Sequence, residues 1–140
     1  MSHISKIEML ITDLSDLKKA CIRLGFTFRE NQKSYRWYGR LVTPDKHPVP
    51  EGLTEADLGK CDHAISVPEA EYEIGVVKRN GKYHLLLDYW DSRLRNAVGE
   101  NGARLKQAYA VERILSEAKR RNMRATQIRT EQGIRLTLSA

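Results

Sequence analysis

Cysteine is scarce in this chain. Cys21 and Cys61 are its two thiols in 140 residues, too few for a disulfide framework, which excludes the small disulfide-stapled scaffolds. No apolar run approaches the ~20 residues that a membrane-spanning helix requires. The opening Met-Ser-His-Ile-Ser-Lys-Ile alternates polar with apolar residues and does not read as a secretory leader. Paired Cys and His at zinc-binding spacing are lacking, and no Ser or Cys sits in a nucleophile turn. On these grounds no catalytic residue, metal site or cofactor is assigned. The expectation is a reduced, cytoplasmic protein forming a single domain over residues 1–140, long enough to bury a core unaided.

Acidic residues are in deficit in one half only. Residues 1–70 carry ten Lys/Arg against ten Asp/Glu, whereas residues 71–140 carry fourteen against eight, which accounts for the whole net charge of +6. Most of the excess falls on one predicted helix and the residues just beyond it: Arg104, Lys106, Arg113, Lys119, Arg120, Arg121 and Arg124. A cationic face on an otherwise balanced protein points to an anionic partner, because summed potential draws such ligands in.

The periodicities give a fold class. Ile7, Met9 and Ile11 alternate with polar residues as a half-buried strand does. Asp13 is placed to cap a helix whose stripe is Leu14, Leu17, Cys21 and Leu24, and Gly25 stops it. Phe26 to Phe28 and Tyr35 to Tyr38 read as two further strands joined by a turn at Glu30 to Lys33. Three of the four prolines (Pro44, Pro48, Pro50), with Gly52 and Gly59, mark residues 41–71 as a long connection with one helical turn at Thr54 to Leu58. Tyr72 to Val77 and Lys82 to Trp90 flank Asn80-Gly81, a strong hairpin signal. Apolar residues on both faces of the second strand predict a central position. Leu105, Ala108, Val111, Leu115 and Ala118 keep helical spacing, and a last hairpin joins Thr126–Thr130 to Ile134–Leu138 through Gln132-Gly133. The order is β-α-β-β, long loop, β-β-α-β-β. That is an α+β fold, a mainly antiparallel sheet of about six strands with two main helices packed on it.

Met1-Ser2-His3-Ile4, Asp13-Leu14-x-x-Leu17-Lys18, Leu24-Gly25, Tyr72-Glu73-Ile74-Gly75, Leu87-Asp88-Tyr89-Trp90-Asp91, Tyr109-Ala110-Val111, Glu117-Ala118-Lys119 and Gly133-Ile134-Arg135-Leu136 occur in that order. Together they resemble the hypothetical chloroplast reading frame proteins of the ycf thirty-five type, a family with bacterial and viral relatives. The resemblance covers most of the chain apart from residues 41–68. It implies a small α+β protein and, for some relatives, an association with AAA-type ATPase genes. It brings no activity and no catalytic residue.

Several groups of residues suggest chemistry. Gly99-Glu100-Asn101-Gly102 precedes the basic helix, and a G-x-x-G turn between helices is how KH modules approach a nucleic-acid backbone. Gly99 and Gly102 form a candidate phosphate loop with Arg104 and Lys106 beside it, although Glu100 puts a negative charge in the turn and an ordinary loop with a helix N-cap is the favoured reading. Lys119, Arg120, Arg121 and Arg124 exceed the one or two cations that oppose a helix dipole. Arg129 and Arg135 extend that surface if they face outwards together. Tyr35, Arg36, Trp37, Tyr38 and Arg40 suit base stacking, or a strand with Trp37 in the core and Tyr35 and Tyr38 at its margins. Cys61, His63 and His47 are the groups an enzyme site under the long loop would use. The principal expectation is a non-enzymatic binding module for a phosphate-bearing ligand, nucleic acid or nucleotide. The alternative is a protein–protein accessory module or homo-oligomer, with an AAA-type ATPase as candidate partner. A membrane partner is not expected.

Overall fold

A computed structural model describes residues 4–39, 49–50 and 52–140. Strand β1 (Ile4–Ile11) leads into helix α1 (Leu14–Leu24), followed by β2 (Thr27–Arg29), β3 (His63–Ser66), β4 (Ile74–Arg79) and β5 (Lys82–Asp88). Helices α2 (Ser92–Val98) and α3 (Ala103–Arg120) come next, then β6 (Arg124–Thr130) and β7 (Gly133–Ser139). The architecture is α+β. Five strands form one antiparallel sheet in the order β1-β5-β4-β3-β2, and β6 and β7 form a separate two-stranded sheet.

The local signals act as their chemistry requires. Asp13 is extended and its carboxylate accepts from the Asp16 N–H, while Gly25 ends α1 in the left-handed region that glycine enters freely. Asn80 and Gly81, both at positive φ, turn β4 into β5. Thr54 and Asp57 cap each other around the 3-10 turn Glu55–Asp57, the helical turn expected in the long connection.

Two strand expectations need correction. Tyr35 to Tyr38 is not a strand; this stretch makes one isolated bridge, Ser34 with Lys60. The partner of β2 is β3, which lies inside the stretch expected to be a loop. Arg36 does not extend a sheet edge here: its backbone N–H donates to the buried Glu73 carboxylate at 3.0 Å. A further helix, α2, occupies the segment before the Gly99 turn, with Asp91 accepting from the N–H groups of Arg93 and Leu94.

Both faces of the sheet are covered. On one, Leu85 and Leu87 of β5 join Ile7, Ile65, Ile74 and Val76 beneath α1, α2 and α3. On the other, Leu86, Val77, Ile4 and Ala64 lie under Tyr35, Leu58 and Cys61, with Trp37, Val49 and Leu53 at the margin. The aromatic expectation thus inverts: Tyr35 is the buried ring, Trp37 is half-buried and Tyr38 is exposed. Gly75 makes room for Tyr35. A Cβ there would run into the edge of the ring, closer than any contact that packing tolerates.

Gly75→Ala therefore costs about 1–3 kcal/mol of stability through overpacking. Adding it to Tyr35→Ala, which empties the same space, costs less than adding it to the native chain. Urea denaturation of the four members of that cycle measures the coupling; additive losses contradict the contact.

Candidate functional site

The nine basic residues singled out in the sequence do not form one patch. Helix α3 is about 27 Å long at ~1.5 Å per residue, and Arg104 and Arg121 stand at opposite ends of it. The Arg104 guanidinium donates to the Ala97 carbonyl at 3.0 Å and so caps the end of α2. Lys106, half-buried, borders a cleft with Ser5, Lys6, Glu8, Tyr89 and Asn101.

Arg113 has a structural role. It donates to Asp16 at 2.9 Å and lies 3.7 Å from Asp13, joining α3 to the start of α1. Asp16 also accepts from the Ser116 hydroxyl, and Tyr109 accepts from the Thr12 and Asp13 N–H groups at 2.9 and 3.1 Å. Burial by itself raises the Asp16 pKa, but the Ser116 and Arg113 hydrogen bonds outweigh it, and the carboxyl is held below its ordinary value.

The glycines of the Gly99–Gly102 turn answer to packing. Gly102 is buried, and a Cβ on it would stand 2.6 Å from Ile7 of β1. A Cβ on Gly99 would stand 2.9 Å from the Arg104 nitrogen. Both have positive φ, as does Asn101 between them. The turn closes tightly because α3 has to drop onto the sheet immediately after α2.

The remaining cations gather around the last hairpin. Residues 119–140 carry six Lys/Arg (Lys119, Arg120, Arg121, Arg124, Arg129, Arg135) against one carboxylate, Glu131, so five of the net six positive charges sit there. Arg120 and Arg121 share one partner, Glu117, at 3.2 and 2.9 Å. Lys119, Arg124, Arg129 and Arg135 are exposed.

The hairpin's register separates two of them. Ile128 stands opposite Arg135, and Arg129 opposite Ile134. Opposed residues share a face and neighbours along a strand do not. Arg129 and Arg135 therefore point to opposite sides, so the condition under which both would extend the basic surface is not met. Half-buried Ile134 and Leu136 mark the inner face, whose Gln127 accepts from Arg23 of α1 at 3.0 Å. The same guanidinium holds Glu112 of α3 at 2.9 Å, so Arg23 ties the hairpin to both helices. Arg124, Thr126, Ile128, Arg135, Thr137 and Ser139 lie on the outer face, where Ile128 is 50% exposed; Thr130 and Gly133 complete it at the tip, beside Gln107 of α3. Sequence reasoning about charge passes over Thr126, Ile128, Thr137 and Ser139 as site residues, although the period-2 alternation of the hairpin contains them.

Two of the residues considered for an enzyme site, Cys61 and His63, make hydrogen bonds to nearby backbone groups. The Cys61 thiol donates to the Gln32 carbonyl at 3.1 Å, and burial, with the charges of Asp62 and Glu73, pushes its pKa up to about 11. Nδ1 of His63 accepts from the Asn31 N–H at 2.9 Å, and burial lowers the His63 pKa. His47 and Arg40 lie outside the described residues. Among the described residues no three His, Cys, Asp or Glu side chains converge as a metal site would need, and no helix is long and apolar enough to cross a membrane. No family model matches the chain, and the comparisons with curated proteins and with solved structures found no match.

The Asp16 cluster predicts a pH dependence. A carboxyl with a depressed pKa in the fold stabilises it above the ordinary value of 3.8, and that contribution is lost as pH falls through the folded value. Asp16→Ala lowers stability by roughly 1–3 kcal/mol near neutrality through lost buried hydrogen bonds. Denaturation curves from pH 7 to pH 3 show the gap to the native chain closing at the acid end; a constant gap contradicts the assignment.

Proposed function

We propose that the chain is a non-enzymatic binding module for a phosphate-bearing anion, working through its last hairpin and the adjoining end of α3. One observation carries this reading: five of six net charges lie within the final 22 residues, on side chains exposed to solvent, while the rest of the chain is close to neutral. Charge held in one place creates a local potential that a scattered excess of the same size does not. Arg104 takes no part in it because it stands at the opposite end of α3, and Arg113 is held by Asp16 and Asp13. Arg120 and Arg121 share one carboxylate, Glu117, and together keep a net positive charge.

A second reading, a protein–protein module, draws on the hairpin's edges. Among the described strands neither β6 nor β7 pairs with any strand but the other, and open edges template strand addition. Like charge on two copies of the hairpin opposes their direct pairing, which places the anion reading first.

Affinity for a labelled polyanion then falls steeply with ionic strength. Four to six phosphate contacts give a slope of log K against log salt of roughly −3 to −5. Replacing Lys119, Arg120 and Arg121 together by Ala reduces that slope by about 2–3, whereas Arg104→Ala leaves it unchanged. Affinity indifferent to salt, or to the triple substitution, overturns the anion reading and leaves the protein–protein one.

A further inference from the structure

Resting on that reading, we infer that the outer face of the β6–β7 hairpin is a ribbon that enters the major groove of B-form DNA. The ligand class follows from shape and from the side chains present.

The dimensions fit. Two strands about 4.8 Å apart and seven residues long make a ribbon roughly 23 Å in length. A major groove ~12 Å wide admits a two-stranded ribbon. Both outer edges of this ribbon are clear of other described strands, so groove walls can approach on either side. Its inner face is the one tied down, through Arg23 and Gln127.

The chemistry of the outer face suits base edges. The cross-strand pairs run Arg124 with Ser139, Thr126 with Thr137, and Ile128 with Arg135. Arginine donates two parallel hydrogen bonds to guanine, hydroxyls pair with several edges, and an aliphatic group meets the thymine methyl. Lys119, Arg120 and Arg121 stand at the ribbon's base, where they reach phosphates flanking the groove.

Other phosphate-bearing ligands fit less well. Single strands are gripped by stacking bases on aromatic rings, and residues 119–140 contain no Phe, Tyr, Trp or His. The exposed aromatics Trp90 and Tyr38 belong to other parts of the fold. The major groove of an A-form RNA duplex is too deep and narrow for a ribbon. A free nucleotide needs a concave pocket; the cleft at the ribbon's tip is lined by Glu131 beside Arg129, Gln107 and Ile134.

The experiment compares three fluorescent probes of matched length by anisotropy at one ionic strength: a 20-base-pair DNA duplex, the RNA duplex of the same sequence, and the single-stranded DNA. The expected result is at least tenfold tighter binding of the DNA duplex than of either other probe. Arg124→Ala with Arg135→Ala should abolish that preference, and thermal melts confirm that the variant is folded. Equal binding of all three probes overturns the groove assignment while sparing the anion-binding module. A preference for DNA that survives the double substitution also overturns it. Failure to bind any of the three overturns both.

Discussion

Leu85, Leu86 and Leu87 are all fully buried, and three consecutive buried residues on one strand demand cover on both faces of the sheet. The rest of the molecule is arranged around that demand. Helices α1 to α3 cover the side that takes Leu85 and Leu87; Tyr35, Leu58 and Cys61 cover the side that takes Leu86. Neither cover works without accommodations in the backbone. Gly75 lets the Tyr35 ring settle on β4, and Gly102 lets α3 begin directly over Ile7. Leu58 and Cys61, from the described part of the long connection, thus join Tyr35 as a second layer of the core.

Helix α3 has two tasks, and its charges divide between them. Toward the sheet and α1 it contributes Leu105, Ala108 and Tyr109 to the core and Arg113 and Ser116 to the Asp16 cluster. A buried carboxylate next to a guanidinium tolerates little displacement, since removing either partner leaves the other poorly solvated. At its far end the helix carries Lys119, Arg120 and Arg121 into solvent. The hairpin continues from there and contacts α3 along both strands, held through Arg23. It adds little to the core: no residue of β6 or β7 is fully buried. A two-stranded sheet on its own is marginal in water, so this hairpin depends on α3 and Arg23 to hold it in place.

Local signals are legible in the sequence, and distant pairings are not. The caps of α1, the Asn80-Gly81 turn, the central place of β5 and the helical spacing of α3 all follow from residues close together in the chain. The pairing of β2 with β3 joins Phe28 to Ile65 across the long connection, and His63–Ser66 is too short to announce itself by alternation. The aromatic run Tyr35 to Tyr38 offers β2 a nearer partner, but Glu73 and the glycines at 59 and 75 draw that run onto the sheet's face instead. Charge counting locates the basic half, yet it does not separate committed cations from available ones, because Arg113 finds Asp16 97 residues away. The opposed directions of Arg129 and Arg135 depend on register. A loop one residue longer than Glu131-Gln132 would bring them to one face.

Hydrogen–deuterium exchange with and without a DNA duplex addresses the central claim, that a thinly supported basic ribbon on a two-faced core is the working surface. In the free protein, amides of β4 and β5 should exchange slowest and those of 124–139 fastest among the strands. Added duplex should slow exchange in 119–139 and leave β4 and β5 as they were. Protection that appears around Trp90 or the long connection, with the hairpin unchanged, would contradict the account.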